Sequence, residues 1–248
     1  MMSMLSAQSE SYPIGLSVIV PAYNEEILLR DAIEHLVRTV PGLGIPAEIV
    51  IVDDGSLDAT PTIADELAAA HDVVSVHHHR QNQGFGGAVR TGFEHSRFQF
   101  VMYTPADYHF SAKEFDIYLT LIKYSDVVIG YRRERRRNVG LYPRLISVVY
   151  HWMINMLFRL DYYDVNWIHM YRRDHVLNIL GHSKGVFLPA ETLIRAKRRG
   201  LKIIGVDVDF VDRTAGTATS TKPGTIFRTI RDLAAFFLDE VFAKNSAR

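Results

Sequence analysis

The sequence predicts an α/β protein in which a Rossmann-like, mostly parallel β-sheet is flanked by helices within a single domain. Two short runs rich in β-branched residues, 15–21 and 47–52, are each followed by a segment whose apolar residues recur three or four positions apart. Further apolar runs at 73–77, 98–104 and 126–131 alternate with helix-like segments. Strands that alternate with helices favour a parallel sheet that is covered on both faces.

The second half of the chain departs from this alternation. After the fifth strand the sequence predicts a long apolar helix over 141–160, two shorter helices near 173–180 and 190–199, a strand over 201–211 and a last helix from 226 to about 242. The strand is predicted by its alternation of apolar and polar residues, and the helices by their helical spacing.

Three parts of the chain are expected. They are a flexible tail over 1–14, a single domain over 15–225, and an amphipathic helix over 226–248 that packs on the domain or on a membrane surface. Within the domain, the helix after the first strand is expected to turn Ile27 and Leu28 toward the core, together with later apolar residues.

Composition limits the classes of function. The chain has 248 residues, of which 48% are hydrophobic, and this is enough to bury a sizeable core. Lys plus Arg and Asp plus Glu are equal at 28 each, so no overall charge favours nucleic acid, and we expect no nucleic-acid partner. The absence of cysteine excludes disulfides, thiolate metal sites and cysteine nucleophiles.

A cytoplasmic location is the expectation from the N-terminus and the longest apolar run. Residues 1–13 lack the basic segment and apolar run of a secretory signal. The longest apolar run, 145–160, is interrupted by polar residues and is shorter than the ~20 residues that span a bilayer. Peripheral contact with the cytoplasmic face of a membrane stays open.

Polar loops follow the first three strands, at the edge of a parallel sheet where ligands bind. Asp53 and Asp54 lie at the end of the second strand. The repulsion between two adjacent carboxylates is more easily tolerated where a ribose hydroxyl, a base or a cation compensates it. Glycines at 84, 86 and 87 would permit close approach of a ligand to the backbone. Taken singly, each loop is equally explained by turns and helix caps, with Asn24 as a cap in the first loop.

The fourth loop follows the apolar run in FVMYTPADYHF, residues 100–110. It brings Asp107 and His109 to the same edge, although the position two before Asp107 is Pro105. This stretch is either a metal site, an altered metal site or an ordinary strand end.

Together these segments resemble glycosyltransferase family 2, in particular its dolichyl-phosphate mannose synthase-like, polyprenyl-phosphate hexosyltransferase branch. The matching pieces occur in family order and are SVIVPAYNEE, EIVIVDDGSLDAT, NQGFGGAVRTGF, YTPAD, VVIGYR, ETLIRAKRRG and DFVDRTAG. The resemblance implies a GT-A fold, a GDP- or UDP-linked sugar donor, a polyprenyl phosphate acceptor, and Mg²⁺ or Mn²⁺ as cofactor.

The resemblance also assigns the donor site. The residues that would bind the nucleotide sugar are Pro21, Tyr23, Glu25, Asp53, Asp54, Gly84 and Ala106. In the family the fourth strand ends in Asp-x-Asp, often followed one residue later by Gln; here these positions hold Pro105, Asp107 and His109. Because Mg²⁺ commonly needs only one or two protein carboxylates, we predict a metal held by Asp107, with His109 as a ligand or as a donor to the diphosphate. The alternative for His109 is a turn histidine that hydrogen-bonds to the backbone.

The acceptor side is predicted from its arginines. A lipid phosphate is already anionic and needs positive groups rather than a general base. By resemblance, Arg132 would contact the reacting groups, Arg144 and Ser147 the acceptor phosphate, and Arg213 the donor diphosphate. Asp164 falls at a family acceptor-site position, in a neighbourhood that departs from the family pattern.

The predicted function is therefore an inverting, metal-dependent hexosyltransferase that acts on a polyprenyl phosphate, with Asp107, Arg132 and Arg213 as catalytic residues. Two other functions stay open from the sequence. One is transfer to the hydroxyl of a soluble acceptor, and the other is binding of a nucleotide sugar without catalysis, which Pro105 would explain.

Overall fold

The computed structural model describes residues 12–132, 141–162, 164–208 and 223–246. The strands are β1 (Leu16–Ala22), β2 (Ala47–Asp53), β3 (Val74–His78), β4 (Phe100–Tyr103), β5 (Val127–Arg132), β6 (His169–Arg172) and β7 (Ile203–Val208). The α-helices are α1 (Leu29–Thr39), α2 (Thr60–Ala70), α3 (Phe85–His95), α4 (Ala112–Ile122), α5 (Leu141–Phe158), α6 (Arg173–Ile179), α7 (Leu188–Arg198) and α8 (Pro223–Ser246), and a 3₁₀ turn covers Val40–Leu43.

The described strands form one sheet in the order β3-β2-β1-β4-β6-β5-β7. All neighbouring pairs are parallel except those of β6, which runs antiparallel to both β4 and β5. The predicted α/β class with a mostly parallel sheet is confirmed. The sequence analysis missed β6, because this four-residue strand exists through pairing with two distant strands rather than through a pattern of its own.

Two apolar layers cover the sheet. The alternation along β1 shows this directly, since Val18 packs into the layer with α1, α2 and α4, whereas Ile19 packs into the layer with α3, α6 and α7. Burial on both faces explains why β1 and β2 read as continuous apolar runs in the sequence. Ile154 of α5 and Leu233 of α8 join the second layer.

One core prediction was wrong. Ile27 was expected on the buried face of the first helix, but α1 begins at Leu29 and Ile27 is 82% exposed. Leu28 lies before the helix and is half-buried, and Leu29 supplies the first buried side chain. No helix within the described ranges is long and apolar enough to cross a membrane.

Gly92 of α3 allows that helix to pack directly on β1. A Cβ at this position would lie 2.3 Å from Cγ2 of the fully buried, β-branched Ile19. We predict that Gly92→Ala lowers the free energy of unfolding by about 1–3 kcal/mol through overpacking. Gly42→Ala, which meets nothing within 4 Å, is the control in urea denaturation; equal stability of the two variants would contradict this account of the packing.

Candidate active site

The carboxyl ends of β1, β2, β4 and β5 and the start of β6 meet at one edge of the sheet, which we call the binding edge. The register pairs Ala22 with Asp53, so the loops after β1 and β2 begin side by side. This is the edge at which ligands bind in open α/β sheets.

The first two loops are joined by hydrogen bonds in both directions. The Asn24 N–H donates to Oγ of Ser56 at 3.0 Å, and the Leu57 N–H donates to Oδ1 of Asn24 at 2.9 Å. Asn24 adopts a positive φ of 55°, which Asn tolerates better than most residues. Asn24 therefore links two loops, and α1 has no side-chain cap at its first turn.

The predicted nucleotide-pocket residues of β1 lie on this edge. Pro21 is half-buried within β1, and the Glu25 N–H donates to Oγ1 of Thr60 at 2.8 Å. Tyr23 keeps 43% of its surface exposed and so presents an aromatic side chain to a ligand.

Asp53 is buried and accepts hydrogen bonds on both oxygens. Oδ1 accepts from the Ser56 N–H at 3.0 Å, and Oδ2 lies 2.8 Å from Nδ1 of His78. The other ring nitrogen of His78 lies 3.1 Å from Oδ1 of Asp65. Burial alone would lower the pKa of His78, but the hydrogen bonds and charges of the two carboxylates outweigh it and raise this pKa.

Asp54 supports the glycine loop. Its Oδ1 lies 2.6 Å from Nδ1 of His79 and accepts from the Gln83 N–H at 2.8 Å, while Oδ2 accepts from the Gly84 N–H at 2.8 Å. Nε2 of His79 in turn lies 2.9 Å from the Thr91 hydroxyl. The sequence predicted that the repulsion between Asp53 and Asp54 needs compensation. In the structure each carboxylate has a histidine partner at the end of β3, and these partners were not predicted.

The glycines of the third loop are required by packing within the protein. A Cβ on Gly84 would lie 2.3 Å from the carbonyl oxygen of Lys184, and one on Gly86 would lie 2.0 Å from that of Ser183. The Gly86 N–H donates to the Lys184 carbonyl at 2.9 Å. The structure shows Gly84 packed against the segment around Lys184. The approach of a ligand to Gly84 stays a prediction.

Glu191, at the start of α7, holds that segment in place. Its carboxylate accepts from the backbone N–H groups of His182 and Ser183, each at 2.9 Å, and from the Ser183 hydroxyl at 2.6 Å. Burial would raise the pKa of Glu191, but these hydrogen bonds and that of Arg195 lower it. A signal for this role was present in the sequence only as a glutamate in a helix's first turn.

In the fourth loop, Asp107 precedes two residues whose side chains make contacts outside the loop. Tyr108 is buried, and its hydroxyl donates to Oε1 of Glu114 at 2.5 Å. Nε2 of His109 lies 3.0 Å from Oδ2 of Asp31, and its ring stacks on that of His35 with centroids 4.6 Å apart. These contacts fix the backbone on one side of the half-buried Asp107.

The structure restricts how a metal ion could be bound at this loop. In the described part of the chain, no three histidine, aspartate or glutamate side chains are grouped so that they could hold a metal ion by themselves. Ala106 is buried beside Asp107. Since Nε2 of His109 already faces a carboxylate, His109 as a metal ligand stays a prediction.

Arg132 and Asp164 form a buried ion pair at the end of β5. Nε and Nη2 of Arg132 donate to the two carboxylate oxygens at 2.6 and 2.9 Å, and the guanidinium lies over the ring of Trp167 at 4.5 Å. The sequence analysis placed Arg132 and Asp164 separately on the acceptor side, and the structure brings them together. Such planar, two-point pairing is the strongest arrangement of these groups.

Helix α5 contributes Ser147 and His151 to the same region. The Ser147 carbonyl lies 2.6 Å from Nδ1 of His151, whose Nε2 lies 3.5 Å from Oδ1 of Asp164. Arg144 belongs to the first turns of α5, but its side chain is outside the described residues, and Arg213 lies entirely outside them. His151 is a neighbour of the Arg132–Asp164 pair that was not predicted from the sequence.

The chain was compared with known proteins. Residues 17–180 match the family model described as glycosyl transferase family 2. The chain belongs to this family. As a family 2 chain, it is 26% identical over 223 residues to glycosyltransferase AglD of Haloferax volcanii, an alignment that covers 79% of this chain and 33% of the relative.

Two further relatives of this family 2 chain carry names that state their acceptors. The undecaprenyl-phosphate mannosyltransferase of Micrococcus luteus is 27% identical over 208 residues, which are 80% of this chain and 84% of the relative. The dolichyl-phosphate beta-glucosyltransferase of Saccharomyces cerevisiae is 37% identical over 112 residues, which are 42% of this chain and 33% of the relative. The aligned part of the chain thus spans 33% of the length of two of these relatives and 84% of the length of the third.

Solved structures confirm the predicted GT-A fold of this family 2 chain. Glucosyl-3-phosphoglycerate synthase from Mycobacterium tuberculosis, solved with Mn²⁺, UDP-glucose and phosphoglyceric acid, superposes with a TM-score of 0.71 at 17% identity, over 90% of this chain and 80% of the other. At this identity the similarity establishes the fold alone.

The His78–Asp53 pair predicts a pH-dependent contribution to stability. Because the folded-state pKa of His78 is raised above the ordinary 6.5, this contribution is complete below that pH and is lost as the pH rises through the folded pKa. We expect His78→Gln to lower the free energy of unfolding more near pH 6 than near pH 9 in denaturant titrations. His182→Gln, at an exposed position, is the control; a His78→Gln effect independent of pH would contradict the prediction.

Proposed function

We propose that the protein is an inverting glycosyltransferase that moves a hexose from a nucleotide-diphosphate sugar to a polyprenyl phosphate. The observation that carries this proposal is the acceptor named in relatives, above all the undecaprenyl-phosphate mannosyltransferase that aligns with 80% of this chain. The undecaprenyl-phosphate 4-deoxy-4-formamido-L-arabinose transferase of Pectobacterium carotovorum, 29% identical over 82% of this chain and 62% of its own length, supports the same acceptor class.

The donor would bind over the loops of β1, β2 and β4. Tyr23 offers an exposed aromatic surface for the base, and Asp53 is buried at the end of the neighbouring strand β2 with His78 beside it. A GDP- and a UDP-linked donor are both compatible with these residues. A structural neighbour was solved with UDP and Mn²⁺, and this supports, for our proposal, a nucleotide diphosphate in this position.

Asp107 is the proposed protein ligand of a divalent cation. Asp107 is half-buried on the binding edge and directly precedes Tyr108 and His109, which are tied to Glu114 and Asp31. This position suits a cation that takes one protein carboxylate and completes its coordination with phosphate oxygens and water. Mg²⁺ or Mn²⁺ bound there would supply positive charge for the departing diphosphate. His109 would join it only by giving up its contact with Asp31.

The acceptor phosphate would approach from the side of β5 and α5. One phosphate oxygen attacks the anomeric carbon while the bond to the diphosphate oxygen breaks on the opposite face, so the configuration inverts. Arg132, oriented by Asp164, and Ser147 are the described residues that we assign to the acceptor phosphate. Arg144 and Arg213 retain their predicted roles at the acceptor phosphate and at the donor diphosphate. The anionic acceptor needs no general base.

A membrane-facing surface on α5 supports a lipid acceptor. Its members are large apolar side chains that are half or more exposed and recur at helical spacing, namely Leu145, Val148, Val149, Trp152 and Met156. In sequence, α5 follows the arginine-rich segment 132–137, whose charge suits anionic headgroups. We propose peripheral contact with a membrane through this surface, with a cytoplasmic location.

Transfer to an extractable lipid tests the proposed function. With UDP- and GDP-linked radiolabelled hexoses, Mn²⁺ and a polyprenyl phosphate, we expect label to enter the organic phase with one donor class. Asp107→Asn should reduce transfer and Mn²⁺-dependent nucleotide binding at least about tenfold, because it removes a charge worth about 1.5–3 kcal/mol. Asp116→Asn, at an exposed position of α4, is the control.

The alternative outcomes of that assay are distinct. Label that stays in the aqueous phase on a hydroxyl-bearing acceptor would replace the polyprenyl phosphate by a soluble acceptor. Nucleotide binding without transfer to any acceptor would identify a binding protein without catalysis. Binding unaffected by metal and by Asp107→Asn would remove the metal site from the proposal.

Vesicle binding tests the membrane-facing surface. The double variant Val148→Ser, Trp152→Ser should bind vesicles of phosphatidylcholine and phosphatidylglycerol at least about tenfold more weakly, since each apolar side chain contributes up to about 1.5–3 kcal/mol when buried. Tyr124→Ser is the matched control, because Tyr124 is 68% exposed but lies away from α5. Equal co-sedimentation of all three proteins would refute the assignment of this surface.

A further inference from the structure

His151 is the one histidine in the described residues that faces the Arg132–Asp164 pair from α5. Its side chain is 14% exposed, and Asp164 is 9% exposed at the side chain. The ring lies one helical turn after Ser147, on the same face of α5. The face that we assign to the acceptor phosphate therefore also carries a titratable group.

The tautomer of His151 follows from its contacts. Nδ1 lies 2.6 Å from the carbonyl oxygen of Ser147, and because a carbonyl only accepts, Nδ1 carries a hydrogen. Nε2 is buried and has no hydrogen-bond partner among the described residues, although Oδ1 of Asp164 is 3.5 Å away. In the neutral ring, a lone pair on Nε2 faces a carboxylate oxygen, an unfavourable arrangement that a proton on Nε2 would turn into an attraction.

The charged groups around the ring determine the effect of a proton on Nε2. Arg132 and Asp164 carry opposite charges, so a proton on Nε2 of His151 would add one positive charge beside this pair. Tyr150 lies beside His151 with ring centroids 5.5 Å apart, and burial raises the pKa of Tyr150 well above its ordinary value. On the far side, burial lowers the pKa of His169 to about 3 against the opposing effect of Asp164.

We propose that His151 is a proton-linked positioning residue of the acceptor site, which on protonation binds Asp164 and adds a positive charge beside Arg132. An incoming phosphate dianion would then meet one more positive charge than it meets beside the neutral ring. By linkage, binding of the phosphate favours the protonated ring, and the proton comes from solvent. This inference rests on the proposed function, since it concerns the acceptor phosphate of that reaction.

The test compares the pH dependence of acceptor binding in matched variants. The KM for a short-chain, water-soluble isoprenyl phosphate would be measured at saturating donor from pH 6 to pH 8 for the native protein and His151→Gln. The second ionisation of the phosphate affects both proteins equally, so the difference between their profiles reports His151. We expect the native KM to rise about tenfold more than that of the variant over this range, with kcat changed little.

Two further variants separate charge from structure. His151→Lys keeps a positive charge, and its KM should stay low at pH 8. His175→Gln removes another histidine that faces a carboxylate, since Nδ1 of His175 lies 3.0 Å from Asp126, but at the opposite edge of the sheet. Its pH profile should match that of the native protein. Parallel profiles for native and His151→Gln would overturn the proposal, as would a loss confined to kcat.

Calorimetry gives a readout that does not depend on turnover. Titration of the same isoprenyl phosphate in two buffers of different ionisation enthalpy should show more proton uptake by the native protein than by His151→Gln. Equal uptake would overturn the role of His151 while leaving the acceptor class intact. Failure of the native protein to bind or use any isoprenyl phosphate would instead refute the proposed function, and the inference with it.

Discussion

Buried carboxylates that accept hydrogen bonds from loop backbones organise the binding edge. Asp54 holds the glycine loop through two N–H groups, and Glu191 holds the neighbouring segment through two more. Burial of a carboxylate is costly unless hydrogen bonds or opposite charges compensate it, and each of these carboxylates accepts hydrogen bonds on both oxygens. His79 faces Asp54 and Arg195 faces Glu191. The loops are therefore fixed before any ligand binds.

This arrangement divides the edge into two sides. On the side of β1, β2 and β3, the acidic groups are joined to histidines and backbone amides, and Tyr23, directly after β1, is exposed. On the side of β5 and α5, an arginine is oriented by a carboxylate and an apolar helix face is exposed nearby. A polar nucleotide and a lipid-linked phosphate require such different surroundings, so the two sides fit the two substrates of the proposed reaction.

The fourth loop shows how an altered motif is accommodated. Pro105 removes one acidic side chain, while Tyr108 and His109 tie the loop to Glu114 and Asp31. The loop thus keeps Asp107 at the edge with a single carboxylate, and the proposed cation would depend more strongly on donor phosphates than one held by two carboxylates. In the proposed site, Pro105 therefore leaves one carboxylate where the family pattern has two.

The sequence by itself determined the α/β class, most helices and strands to within a few residues, the loops at the binding edge and membership of the family, because these depend on local periodicity and on motifs in a fixed order. Tertiary structure alone decided the insertion of β6, the histidine partners of Asp53 and Asp54, the packing of Gly84 against Lys184 and the pairing of Arg132 with Asp164. Each of these contacts joins residues that are 25 or more positions apart, and no local pattern records such a pairing. His151 was not predicted for the same reason, because its contact with Asp164 arises only through the packing of α5 beside that residue.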